Sequence, residues 1–223
     1  MNIPNNALPG YLKDTSLEPV LMVMNRIYER IDEEQKKWTA VSTFRCPPGC
    51  GLCCETFEPD VLQGEALYLA AWLLENKPEL IKTIDWSRPG TSCPLSNPVS
   101  EYHCTVYEGR PLICRLFAFS GDRAKDGTVR YRPCRHMDTE DHTVLNQDTL
   151  MQRFGRCPPV MGDLSAEVSM SMPEVSDERL PLREALQRAL AKIRYLHDLH
   201  AFSVVSGEDG DNDNDNNPQP RAS

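Results

Sequence analysis

Nine of the 223 residues are cysteines, and four of them crowd into the stretch FRCPPGCGLCC, where Cys46, Cys50, Cys53 and Cys54 occupy nine positions. Two prolines and two glycines lie between them, and these residue types favour turns that fold side chains toward one another. Thiolates bind zinc at about 2.3 Å and also hold iron-sulfur clusters, and either use needs four convergent donors on short connections. Cys53 and Cys54 add a constraint. Adjacent side chains point in different directions, so both seldom bind one ion; two metals, or opposite sides of one cluster, each satisfy it. Four more cysteines follow: Cys93 in SCPL, Cys104 and Cys114 at the ends of CTVYEGRPLIC, and Cys134 in RPCRH. Eight thiols suffice for two centres.

The neighbouring side chains admit two uses each. Arg110 and Arg115 flank Cys114; their guanidinium groups could offset the charge of several thiolates, or pair with Glu101 or Glu108 at the surface. His103 and His136 each lie within two residues of a cysteine, and imidazole is a common zinc donor, although an adjacent histidine is more often incidental. His142, His197 and His200 lie away from the series, the last two at i and i+3 on an expected helix. Cys157 stands outside the series and reads as a small buried hydrophobe.

The ordered pattern CxxxCxxCC, then a CP, then CTVYEGRPLICR and a final cysteine resembles the YkgJ-type cysteine-cluster family, a zinc- or iron-chelating domain. The resemblance spans Cys46 to Cys134. It implies that Cys46, Cys50, Cys53, Cys54, Cys93, Cys104, Cys114 and Cys134 are metal ligands, with Tyr107, Arg110, Pro111 and Arg115 at the family's other marked positions; Cys157 has no counterpart. The family label leaves zinc and iron open. The expected function is therefore a metal-binding protein holding zinc or an iron-sulfur cluster, with iron-sulfur slightly favoured because eight thiols go beyond a single zinc site with four cysteine ligands. A redox or metal-handling role would follow. The alternative is an iron-sulfur-dependent enzyme, an oxidoreductase or one related to protein methylation. Cys46, Cys50 and Cys53 form CxxxCxxC, which also resembles the cluster motif of radical S-adenosylmethionine enzymes, and the cysteine domain is similar to that of bacterial flagellin lysine methylases. Against both, a helix rather than a strand precedes the motif, and no GxGxxG is present.

Composition narrows the partners. The net charge is −9, but residues 207–223 contain five acids and one base, so the tail alone supplies −4. Between Cys46 and Cys134 eleven acids face nine bases, which leaves no basic face for phosphates; nucleic acid is not an expected partner. MNIPNNALPGYL has no charged n-region or apolar h-region, and no run reaches the roughly 18 apolar residues of a membrane span, so no membrane partner is expected. In a reducing cytoplasm, the compartment this composition suggests, nine cysteines read better as ligands than as disulfides.

The elements that must position the thiols are few. Val20, Met24, Ile27, Ile31, Trp38 and Val41 recur at three- and four-residue steps over residues 17–41, with Ser16 as N-cap and Pro19 in the first turn. A second helix is expected over 60–76 and a last one from Ser176 to Phe202. RLFAFS (115–120) and TVRYR (128–132) read as strands of a hairpin around GDRAKDG, which would set Cys114 opposite Cys134. The predicted class is α+β: a small loop-rich cysteine-cluster domain with a short β-hairpin, flanked by amphipathic helices. The expected organisation is a helical segment at 1–45, the metal-binding domain at 46–160, a linker and helix at 161–206, and a disordered acidic tail at 207–223.

Overall fold

Pro19 stands in the first turn of helix α1 (Glu18–Val41), where its fixed φ is already helical. From there Val20, Met24, Ile27, Ile31 and Trp38 are buried along one face, as their spacing predicts. Ser16 does not cap the helix. Leu17 is the N-cap residue and has no side-chain cap; the Thr15 hydroxyl accepts from the Leu17 N–H at 3.3 Å, and the Glu18 carboxylate accepts from the Asp14 N–H at 2.8 Å.

The structure is a computed structural model that describes residues 8–88, 92–139, 142–171 and 178–207. In chain order α1 is followed by α2 (Leu52–Glu55), β1 (Asp60–Leu62), α3 (Gln63–Asn76), α4 (Pro78–Ile81), α5 (Leu112–Leu116), β2 (Asp122–Arg123), β3 (Val129–Tyr131), β4 (Leu145–Asn146), α6 (Gln147–Phe154), α7 (Met161–Ser171), β5 (Arg179–Pro181) and α8 (Leu182–Gly207). The class is α+β. The expected acidic tail lies, beyond Gly207, outside the described residues.

Two of the expected helices begin later than the pattern suggests, for one shared reason. Residues 60–62 form β1 and pair antiparallel with β5, Val61 opposite Leu180, so α3 starts at Gln63 and α8 at Leu182. The hairpin exists, but its strands are shorter and shifted. β2 pairs with β3 through Asp122 opposite Arg130 and Arg123 opposite Val129, and β3 pairs with β4. Residues 115–120 are no strand: the first of them close α5, and Ala118 adopts φ +68°. Cys114 therefore sits on α5 and not at the mouth of the hairpin.

Two hydrophobic cores result. The larger joins α1, α3 and α8 through Met24, Tyr28, Ile31, Leu69, Leu73, Leu186 and Ile193, and it takes in Cys93. The smaller gathers Trp38, Phe44, Val129, Tyr131, Met137, Leu145 and Leu150, with Cys46, Cys134 and Cys157 packed against it. Its rings meet edge to face, Trp38 with Phe154 at 5.3 Å and with Tyr131 at 5.5 Å, a favoured geometry. Helix α1 spans both cores, with Trp38 near its end anchoring the second. Cys104 packs with Cys93 on the larger core, whereas Cys46, Cys134 and Cys157 belong to the smaller one.

Candidate metal centre

Cys46 leaves the end of α1 under control of its neighbour Arg45, whose guanidinium donates to the carbonyls of Ser42 at 3.0 Å and Phe44 at 2.8 Å. The guanidinium also donates to Thr39 O in the last turn of α1, and a cation so placed satisfies a C-terminal carbonyl of the helix. A tight turn then closes, with the Cys50 N–H donating to Pro47 O at 3.0 Å, so Cys50 returns toward Cys46. Cys53 and Cys54 follow on α2, their sulfurs 3.9 Å apart. The backbone of this loop is tied to the next cysteine, since the Cys93 N–H donates to Cys54 O at 3.3 Å.

The strand-like stretch after Cys93 doubles back. Ser96 bridges Cys104, the Asn97 N–H donates to His103 O at 3.0 Å, and the Thr105 N–H donates to Leu95 O at 3.1 Å. The hook needs Tyr102 and His103 in left-handed backbone, φ +54° and +52°, a conformation that costs a non-glycine residue energy and persists only when its surroundings hold it. Here they do. The Tyr102 ring stacks on Tyr107 at 4.6 Å, and His103 lies so close to Gly51 that an added Cβ there would stand 2.2 Å from His103 Cβ and 2.6 Å from Tyr102 O. Glycine at 51 is what lets the CGLCC loop touch the Cys104 hook.

Helix α5 places Cys114, and it is fixed from outside. Glu65, buried at 1 % exposure, accepts from the Leu112 N–H at 2.7 Å and from the Leu62 N–H at 2.8 Å. One carboxylate thus satisfies an orphan donor at the start of α5 and one at the start of α3. Burial pushes its pKa up, against the pull of those two N–H groups and of Arg179. Arg115, 4 % exposed, lies over the Tyr28 ring at 4.1 Å and reaches Asp32 at 3.1 Å, with its remaining donors on the carbonyls of Arg110 and Glu108. Arg115 thus clamps the 108–115 loop to α1 and, after the larger effects of the N-terminus and Lys77, its charge also helps to hold the Glu108 carboxyl below its usual range.

The thiols sort by neighbour. Burial pushes Cys46 up to about 11, and the nearby thiols of Cys50, Cys134 and Cys53 push in the same direction. Tyr131 is raised by burial and then by Cys46 and Cys134. On the other side, burial raises Cys114, aided by Cys93 and Cys104, and it pushes Cys93 up to about 12, with Cys104 adding to the effect. Cys104 is likewise raised by burial. The hydrogen bond between the vicinal pair lowers Cys53 to about 6, with Arg110 assisting, and raises Cys54, on which Cys104 and Cys93 also act. Cys114 is therefore grouped with Cys93 and Cys104, not with Cys134 as the hairpin reading implied.

Arg110 is the cation that acts on most of these groups, while Arg88 acts on Cys93 and Lys77 on Cys104. The Arg110 guanidinium sits over the Tyr107 ring at 3.5 Å and donates to Tyr107 O at 2.7 Å and Cys114 O at 3.3 Å, and its charge favours the thiolates of Cys46, Cys53, Cys104 and Cys114. The histidines play lesser parts. His103 Nδ1 lies 3.2 Å from a Glu55 carboxylate oxygen, His136 accepts from Arg135 at 3.0 Å, and His197 packs edge-on against Tyr11. All nine cysteines are free thiols, Cys93 buried and Cys53 exposed. Among the described residues no three His, Cys, Asp or Glu side chains converge closely enough to enclose an ion; the thiols are neighbours rather than a closed shell. Their chemistry nonetheless fits a metal. Soft sulfur donors from four stretches of chain, with cations beside them, suit zinc or iron-sulfur and not a hard cation.

The cysteine order and this site make a thiol-rich domain. Residues 45–149 match the family model CxxCxxCC, described as "Putative zinc- or iron-chelating domain". The match covers just under half of the chain. No curated protein and no solved structure matches it. Among the described residues no helix is long and apolar enough to cross a membrane.

Proposed function

We propose that the chain holds zinc or an iron-sulfur cluster through the thiolates of Cys46, Cys50, Cys53, Cys54, Cys93, Cys104, Cys114 and Cys134, in a redox or metal-handling role. The observation that carries this reading is that the eight cysteines, drawn from four separate stretches, lie within electrostatic reach of one another, with Arg110 acting on Cys46, Cys53, Cys104 and Cys114. Packing alone does not call for that arrangement, because buried cysteine used as a hydrophobe has no need of other thiols or of a cation. Several thiolates around one metal build up negative charge, and a fixed guanidinium offsets it. The vicinal pair and the all-sulfur donor set favour iron-sulfur over a single zinc site. When bound, the metal would supply cross-linking or, as a cluster, electron transfer; the protein supplies the sulfurs, their spacing and the compensating charge.

Anaerobic purification followed by metal analysis, acid-labile sulfide assay and a visible spectrum tests the reading. Stoichiometric zinc or iron is expected. Cys50→Ser and Cys114→Ser should lower metal content, while Cys157→Ser, on the smaller core but outside the ligand set, should leave it unchanged. A metal-free wild type, or equal loss in all three variants, would overturn the assignment.

A further inference from the structure

Resting on the reading that these thiols chelate metal, we infer that they form two adjoining four-thiolate centres, Cys46, Cys50, Cys53 and Cys134 in one and Cys54, Cys93, Cys104 and Cys114 in the other. The division follows the two cores. Cys46 and Cys134 pack against the Trp38–Phe44–Tyr131 cluster, and the Asp138 N–H donates to Arg45 O at 3.4 Å, which draws the turn after Cys134 against the residue before Cys46. The turn closed by the Cys50 N–H on Pro47 O returns Cys50 to the same side. Cys93 belongs to the larger core, with Cys104 packed against it. The Cys54 carbonyl holds the Cys93 N–H, the Ser96 bridge holds Cys104, and the Glu65 anchor on Leu112 delivers Cys114.

The seam is the Cys53–Cys54 peptide. The spacing of those two sulfurs, 3.9 Å, does not by itself separate the centres, since the edge of a sulfur tetrahedron around zinc is about 3.8 Å for bonds of about 2.3 Å. What separates them is the other six thiols: Cys46 and Cys134 lie on the smaller core and Cys93 and Cys104 on the larger, with Cys50 joined to the first pair by its turn and Cys114 to the second by α5. Arg110 stands beside the second group, where its guanidinium donates to Cys114 O at 3.3 Å.

Reconstitution of the full-length reduced chain with zinc under anaerobic conditions, read by competition with a chromogenic chelator and by cadmium-113 NMR after replacement, tests the division. The wild type should bind two equivalents and show two cadmium resonances in the thiolate-rich region. Cys53→Ser and Cys54→Ser, one peptide apart, should each retain one equivalent, and each should lose a different resonance. Cys50→Ser should reproduce the Cys53→Ser spectrum and Cys104→Ser that of Cys54→Ser, which a general loss of folding would not do. One equivalent in the wild type, or loss of the same resonance in both vicinal variants, would overturn the division while leaving chelation intact. No binding by the wild type would overturn both.

Discussion

Replacing Gly51 with alanine should weaken metal binding through one steric contact. The residue has φ −131°, which alanine adopts without strain, so the backbone contributes almost nothing. The added methyl, however, would lie 2.2 Å from His103 Cβ, 2.4 Å from His103 Cγ and 2.6 Å from Tyr102 O. Two of the three are not ends of flexible side chains, and both residues are already in left-handed backbone. The CGLCC loop and the Cys104 hook must part. Overpacking of this kind costs about 1–3 kcal/mol. If the contact is fully strained only when the loops close on a metal, affinity falls roughly 5- to 150-fold, and the metal-loaded protein melts roughly 2–12 °C lower. Gly49→Ala is the contrast. Its φ is +70° and nothing lies within 4 Å of an added Cβ, so it costs about 1–2 kcal/mol of backbone energy in loaded and metal-free chains alike. Competition titration with a chelator, paired with thermal unfolding, should show Gly51→Ala losing affinity and stability and Gly49→Ala losing stability alone. Unchanged affinity in Gly51→Ala would refute the claim that these two loops meet in the metal-bound form.

Three further outcomes follow from the geometry, and a fourth from the way the thiols join the cores. In the metal-free protein Cys46 is pushed from near 9 up to about 11 and Cys93 up to about 12, so between those values the folded chain holds more protons than the unfolded one; its stability should fall as pH rises from 9 to 12 in denaturant titrations, and a flat profile would contradict the burial of these thiols. Because Cys46, Cys54, Cys93, Cys104 and Cys114 are all raised, filling all eight thiolates at pH 7 should release at least about five protons in a weakly buffered titration. Glu65→Gln keeps one acceptor oxygen but turns an amide N–H₂ toward the N–H of Leu62 or Leu112, and the unsatisfied group should cost about 1–3 kcal/mol in denaturant unfolding; wild-type stability would mean that the carboxylate does not anchor α5. Stripping the metal should remove hydrogen-exchange protection from residues 46–58 and 92–117 while α3 and residues 182–199, which share the larger core, keep theirs. Uniform protection with and without metal would count against a structural role for the thiol centres.

The cysteine series was legible because cysteine chemistry is written in residue type and order: CxxxCxxCC and CTVYEGRPLIC need no fold to be noticed. Helices α1 and α8 were legible because their apolar periods run for several turns. The β1–β5 pair was not, since Asp60–Leu62 and Arg179–Pro181 are three residues each and too short for a period-two signal. RLFAFS reads as a strand by its aromatic and apolar residues, yet α5 forms there because Pro111 leads into it and a carboxylate 47 residues away takes the Leu112 N–H. Local preference lost to a tertiary anchor. The same effect hid the grouping of the thiols. Cys114 and Cys134 are symmetric about the hairpin in sequence, but α5 turns Cys114 toward Cys93 and Cys104 while the smaller core holds Cys134 beside Cys46.

X-ray absorption at the metal edge of the anaerobically purified protein examines the donor set itself. If the eight thiolates are the ligands, the first shell should contain sulfur alone, at about 2.3 Å, for zinc or for iron, with a second iron shell only if a cluster is present. A first shell that requires nitrogen or oxygen at about 2.0–2.2 Å would contradict the all-thiolate account and turn attention to His103, His136 or Glu55.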